Sequence, residues 1–345
     1  MNELNTAELE NEEADLFEHH RFKADPGQEI VRIDKFLIDR MADTSRNKIQ
    51  LAAKNGNIHV NGLAVKQNYR VKPGDEIAIV LPYPVRELEL IAQDIPLDIV
   101  YEDEALLVVN KPANMVVHPG YGNYTGTLVN ALVYHIDHLP RPPKDYFGRP
   151  GLVHRIDKHT TGLLVVAKTE HALNDLARQF YERSTERRYW ALVWGDLETD
   201  GTVIGNIGRS LKNRKVMTVF EDETHGKHAV THYKVLERFG YVTLVECKLE
   251  TGRTHQIRVH MQHIGHPLFH DLEYGGDRIL KGTKSTAYER FIENNFALIP
   301  GQALHAKTLG FIQPESKKYL EFTSELPTGF QTLLERWRTY CSDFK

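Results

Sequence analysis

A polar loop between two apolar runs is the first place in this chain where side-chain types could support chemistry. Within Gly151-Leu152-Val153-His154-Arg155-Ile156-Asp157-Lys158-His159-Thr160-Thr161-Gly162, a histidine, an arginine and an aspartate fall within four positions. Residues 163–167 then run apolar, as a buried strand would. Rigid flanking strands hold the side chains of such a loop in fixed geometry. Taken alone, the segment fits a functional carboxylate at Asp157 and a surface turn closed by an Arg155–Asp157 ion pair equally well. Tyr189 opens a run, 189–194, whose period of two sends Tyr189, Ala191 and Val193 to one face and Trp190, Leu192 and Trp194 to the other. Position alone favours a core tyrosine there. His255, His260, His263, His266 and His270 suggest a metal centre, but Ile257, Met261 and Ile264 make most of that stretch helical, ending near Gly265. Only His260 and His263 then share a face, and no thiolate joins them. The run 120–126 precedes a helix as a dinucleotide loop would, yet its third glycine comes one position late and strands and helices do not alternate around it. A turn is the simpler explanation, so neither a metal nor a cofactor is expected.

These residues need elements to hold them. Strands are expected at 99–101, 106–109, 115–117, 163–166, 189–194 and 233–236, and helices at 127–136 and from Thr169 through Phe180, where Thr169 supplies an N-cap. Many strands with unevenly placed helices give an α+β domain on a mixed, largely antiparallel sheet over 91–345. Ahead of it lies a small unit, 30–82. Ile33, Phe36, Leu37 and Met41 mark one helix face, and Ser45 caps a second helix with Ile49, Leu51 and Ala52 inward. A strand then runs into the Asn61-Gly62 turn, and another, 76–81, follows Pro73-Gly74. Pro82 and Pro84 begin a linker, 83–90.

Composition narrows the class. With 345 residues, 41% of them hydrophobic, the chain can build about two packed domains, and 9% aromatics argue against disorder. Cys247 and Cys341 stand too far apart for a zinc motif, and two cysteines make no disulfide framework. No apolar run approaches the ~20 residues of a membrane span, and the acidic N-terminus is unlike a signal peptide, so a cytoplasmic protein that avoids membranes is expected. The net charge of −4 hides an uneven distribution. Residues 1–29 carry nine carboxylates against Arg21 and Lys23, the pattern of a disordered acidic tail, whereas 30–81 carry nine Lys/Arg against five Asp/Glu. That basic block is a candidate anion-binding surface, nucleic acid included.

Several segments in order carry a resemblance. His154-Arg155-Ile156-Asp157 with Thr160-Thr161-Gly162-Leu163-Leu164-Val165-Val166-Ala167-Lys168 is similar to the signature of RluA/RluC/RluD-type RNA pseudouridine synthases. Asn110-Lys111-Pro112 through His118-Pro119 resembles their first motif, Arg188-Tyr189-Trp190-Ala191-Leu192-Val193 the segment with their active-site tyrosine, and Glu250-Thr251-Gly252-Arg253-Thr254-His255-Gln256-Ile257-Arg258-Val259-His260 their third; Leu304-His305-Ala306 looks like a late one. Residues 30–82 resemble an S4 RNA-binding domain. The departures are Ile156 for a usual Leu, Thr161 for Ser, Gln313 for a common His and His270 for a common Gly. None removes a reacting group.

The resemblance implies that uridines in RNA become pseudouridine: the N1–C1′ bond breaks, the base rotates and rejoins through C5, with no electron or foreign atom required. It makes Asp157 the carboxylate of the first step, as nucleophile at C6 or C1′ or as helper of an elimination at C2′. It sets Arg253 beside Asp157 as the counter-charge that keeps the carboxylate ionised in a dry pocket. Tyr189 would stack on the base and assist loss of the C5 proton, and Arg155 would fill the space that the flipped base vacates. Lys111, with Arg32, Lys35, Arg46, Lys48 and Arg70 of the S4-like block, would contact RNA. Large-subunit ribosomal RNA is the substrate that an S4-bearing member implies, with a ribosomal subunit or assembly intermediate as partner and a monomeric enzyme; transfer RNA is the second choice. A non-catalytic ribosome-assembly factor would be expected to have lost the carboxylate, and a paired-carboxylate hydrolase needs a second acid where these motifs offer an arginine.

Overall fold

The computed structural model describes residues 17–41, 44, 46–81, 90–120, 122–140, 150–213, 216–222 and 224–342. Contacts divide the chain into a small unit up to residue 89 and a large one from Leu90.

In the small unit, β1 (Phe17–Lys23), β2 (Val31–Arg32), α1 (Ile33–Ile38), α2 (Arg46–Lys54), β3 (Ile58–Val60), β4 (Leu63–Ala64), β5 (Arg70–Val71) and β6 (Glu76–Leu81) surround a core of Ile33, Phe36, Leu37, Ile49, Ile58 and Ile77. β1, β6, β3 and β4 form one sheet in that order. The expected strand 76–81 is β6 itself. Asn61 and Gly62, both at positive φ, make the tight turn between β3 and β4. Two expectations are corrected. Phe17–Lys23 is a strand antiparallel to β6, so this part of 1–29 is ordered; residues 1–16 lie outside the described residues. On α2 it is Ala53, with Ile49, that faces inward, while Leu51 is exposed. Ser45 and the linker 83–89 lie outside the described residues.

The large unit contains β7 (Ile99–Glu102), β8 (Leu106–Lys111), α3 (Leu128–His135), β9 (Thr161–Ala167), α4 (Glu170–Glu182), β10 (Glu186–Trp194), β11 (Gly201–Arg209), β12 (Met217–Phe220), β13 (Lys227–Arg238), β14 (Val242–Leu249), α5 (Gln256–His263), α6 (Thr286–Phe296), β15 (Leu304–Ile312), β16 (Tyr319–Thr323) and α7 (Thr328–Ser342). One ten-stranded sheet runs β12-β11-β13-β14-β10-β15-β9-β8-β7, with β16 on β15. Its pairings are antiparallel except where β15 meets β9. The alternation expected along β10 holds. Tyr189, Ala191 and Val193 share a core with α3 and α5, whereas Leu192 and Trp194 pack with α6 and α7 on the other face. β9 divides likewise: Leu164 and Val166 join Tyr189, while Leu163 and Val165 pack on α4. The first face is therefore where the loop ahead of β9, the tyrosine and α5 converge. No strand forms at 115–117. The Met115 carbonyl accepts from Lys111 Nζ, and those of Val116 and Val117 accept from Leu128 and Val129 at the start of α3.

One buried charge organises the small unit. Asp34 is fully buried and accepts from Arg32, Arg46 and Gln50 at 2.9–3.1 Å. Burial alone would raise its carboxyl, but the hydrogen bonds from Gln50, Arg32 and Arg46 prevail and hold it at about 2, below the ordinary 3.8. Because the folded value is depressed, the network's contribution is complete above the unfolded value and disappears as pH falls through about 2. We expect Asp34→Asn to cost the small unit about 2 kcal/mol at pH 7. Denaturant titrations should show the gap between wild type and variant closing between about pH 5 and 2; a gap that does not change with pH would contradict this.

Candidate active site

The loop carrying Asp157 is fixed from behind. Gly162, at φ +109, lies against β15 so closely that a Cβ would overlap the Ala306 backbone. Next to it Thr161 Oγ1 meets His305 Nδ1 at 2.8 Å, and His305 Nε2 meets Ser324 Oγ at 2.8 Å. Burial brings His305 down to about 4, so the ring is neutral and serves as a fixed pin. A threonine supplies this hydroxyl as a serine would, which accounts for Thr161. The ring of His154 stacks on Phe180 at 4.4 Å and accepts the Val165 N–H; burial, aided by the charge of Arg187, lowers it to about 3. Lys111, 1% exposed, donates to the carbonyls of Pro112, Met115 and Lys158, tying the 112–115 turn to the Asp157 loop. Burial pulls its ammonium to about 7 and the Asp157 charge opposes the fall; three carbonyls match the three N–H bonds of the charged form.

Asp157 thus reaches a cavity of about 770 Å³ lined also by Arg155, Tyr189, Arg253, His255 and Arg258. Its partner is Arg258, whose Nη1 lies 3.2 Å from Oδ2. That guanidinium is buried in the first turn of α5 and is held bidentately by Asp271, through Nε at 2.7 Å and Nη2 at 2.8 Å, with Glu273 at 2.7 Å from Nη2. Burial alone would lower Arg258, but Asp271 first, and then Asp157 and Glu273, raise it above its ordinary value. His255, at φ +56, places Nε2 3.8 Å from Asp157 Oδ1 and bonds Tyr274 through Nδ1 at 2.8 Å; burial lowers its pKa. Tyr189 is 9% exposed, and burial raises its hydroxyl although Arg187 opposes, so it stands as a neutral phenol. A charged carboxylate on a fixed arginine, beside a neutral phenol in one pocket, can act on a base brought into that pocket.

The comparisons with known proteins agree. The family model described as RNA pseudouridylate synthase matches residues 105–263, and that for the S4 domain matches residues 31–77. An uncharacterized RNA pseudouridine synthase of Chlorobaculum parvum is 47% identical over 320 residues, spanning 90% of this chain and 95% of its own. The chain belongs to the RNA pseudouridine synthase family. Ribosomal large subunit pseudouridine synthase D of Zymomonas mobilis is 44% identical over 308 residues, covering 88% of this chain and 93% of its own. Among solved structures, human RNA pseudouridylate synthase domain containing 4 superposes with a TM-score of 0.52 at 27% identity, over 70% of this chain and 92% of that one.

Within this pseudouridine synthase, two sequence expectations are corrected. Arg253 is not the counter-charge of Asp157: its Nε donates to the His228 carbonyl at 3.1 Å, and the carboxylate pairs with Arg258 instead. The left-handed turn at His255 separates the two arginines, leaving Arg253 on the approach and Arg258 inside the helix. Arg258 could have been suspected from sequence as a charge between apolar Ile257 and Val259, with Asp271 and Glu273 downstream to balance it. Lys111 is buried as a loop tie, its ammonium turned to three backbone carbonyls rather than to the surface expected of an RNA contact. Arg32 and Arg46 pair with Asp34 yet remain exposed, as are Lys35, Lys48 and Arg70 on the small unit. Among the described residues His260 bonds Thr231 and no group of three ligands for a metal forms.

Arg258→Lys keeps the charge but loses the planar fork that spans Asp271 and Asp157. We expect single-turnover pseudouridine formation at saturating RNA to slow about 30- to 1000-fold, the scale of a lost preorganised donor. Arg253→Lys should weaken RNA binding with a near-normal rate. The reverse ranking would restore Arg253 as the partner of Asp157.

Proposed function

We propose that the protein converts specific uridines of large-subunit ribosomal RNA to pseudouridine, with Asp157 as the catalytic carboxylate. The observation that carries this reading is the Asp157–Arg258 pair at 3.2 Å inside a cavity that Tyr189 also lines. Arg258 holds the carboxylate aimed into the cavity, where it meets a uridine in a fixed direction. The raised phenol of Tyr189 offers a flat, neutral face to stack on uracil, and its O–H stands ready to relay the proton that leaves C5. Arg155 is exposed at the rim, where a guanidinium can replace the flipped base in its stack. The small unit adds Arg32, Lys35, Arg46, Lys48 and Arg70 as phosphate contacts. Ribosomal RNA is favoured because relatives 41–44% identical over most of this chain are named large-subunit synthases. Such a substrate is met in the cytoplasm, on a ribosomal subunit or an assembly intermediate. In this reading the enzyme acts as a monomer.

Mapping pseudouridine in total RNA from a deletion strain tests this directly. Specific large-subunit sites should lose the modification and regain it with wild type. Asp157→Asn, an isosteric change, should restore less than about one per cent of wild-type turnover while keeping RNA affinity, since it removes only charge and nucleophilicity. Loss confined to transfer RNA would overturn the substrate, and restoration by Asp157→Asn would overturn the carboxylate.

A further inference from the structure

Arg187 is a buried charged side chain of the cavity that the mechanism leaves unused. It is 7% exposed, lines the cavity with Tyr189 two positions on, and has no hydrogen bond or ion pair among the described residues; its Nε is buried without any partner. The adjacent acid, Glu186, is committed to Arg188 at 2.7 Å and Lys248 at 2.9 Å. The guanidinium lies 5.4 Å from the ring of Phe180. Across from it Gly252 presents no side chain, and a Cβ there would come within 3.0 Å of Nη1. A buried cation left without a counter-ion is costly, and a protein retains one where an anion arrives with the ligand. Two more arginines on the lining, Arg155 and Arg183, add positive charge, whereas the acids there are already engaged: Asp157 with Arg258, and Glu250 with His232 at 2.6 Å.

We propose that Arg187 is a phosphate subsite: its guanidinium receives one of the two phosphodiesters flanking the target uridine, while Tyr189 takes the base. This rests on RNA being the substrate, and within RNA the phosphodiester is the group that brings a full negative charge to a planar fork. A uracil carbonyl offers only a partial one. The subsite fixes the flipped nucleotide at two points, base and phosphate, and so sets the register in which the glycosidic bond meets Asp157.

The test uses the full-length protein and a ribosomal RNA hairpin that wild type modifies, made with a charge-free methylphosphonate at the phosphate 5′ or 3′ to the target. One of the two substitutions should weaken binding to wild type about 10- to 100-fold and have almost no effect on Arg187→Gln. Arg187→Gln should bind the natural hairpin weakly, with a salt slope lower by about one. Without RNA, Arg187→Gln should melt at or above the wild-type temperature, because an unpaired buried charge is gone, and inorganic phosphate should raise the melting temperature of wild type more than that of the variant. Arg187→Lys, which keeps a cation, should recover part of the binding. Phosphonate effects equal in wild type and variant would overturn the proposal, as would a slowed single turnover with unchanged binding, the sign of a uracil contact. A variant that melts well below wild type and gains as much from phosphate would reveal a structural arginine. If wild type modifies no RNA, the functional reading fails instead, and the phosphate-dependent melting alone decides the subsite.

Discussion

The arrangement depends on one buried cation. Arg258 is 4% exposed and touches Asp157, Asp271 and Glu273, and each of these contacts does different work. Asp271, itself fully buried, fixes the plane of the guanidinium through two bonds. Glu273, half exposed, adds charge at the edge. Nη1, the nitrogen left over, donates to Asp157, so the direction of the carboxylate is inherited from an aspartate it never meets. Removing either acid partner would leave a buried charge poorly balanced, which is why such clusters tolerate so little change.

The fold gives this cation a stationary background. β10, β15 and β9 lie side by side at the centre of the sheet, and their first face carries Tyr189 and the close approach of Gly162 to Ala306. α5 packs on the same face through Ile257 and Met261, which brings Arg258 level with the loop ahead of β9. His270, whose backbone is left-handed at φ +60, sits immediately before Asp271. Its ring stacks on Phe296 at 4.6 Å and bonds the Ile299 carbonyl at 2.9 Å, contacts that offset the conformation a glycine would adopt freely. A side chain with its own contacts thereby anchors the turn that delivers Asp271.

Legibility from sequence followed the range of the interactions. Strands such as β6 and β9 and the faces of β10 were readable because short apolar or alternating runs report local burial. The tail was read from its average charge, and that average hid β1: six of its nine acids precede residue 16, while Phe17–Lys23 is held by pairing with β6. β12 and β16 carry half-buried or alternating exposed residues and give little apolar signal. Arg258 was hidden for a different reason: its apolar neighbours hint at burial, but its partner Asp157 is 101 residues away and nothing local names it. Arg253, five positions earlier, had equal chemical merit until the turn at His255 decided which of the two enters the helix.

If the orientation of Asp157 is transmitted through Asp271 and Arg258 in series, the two must act as a unit. The direct measurement is a double-mutant cycle on the single-turnover rate at saturating RNA, comparing Asp271→Asn, Arg258→Lys and the double variant. The account predicts strong non-additivity, with the double variant within about threefold of the slower single one. Losses that multiply would mean that each residue acts on its own, and would contradict the claim that a single buried cation aims the catalytic carboxylate.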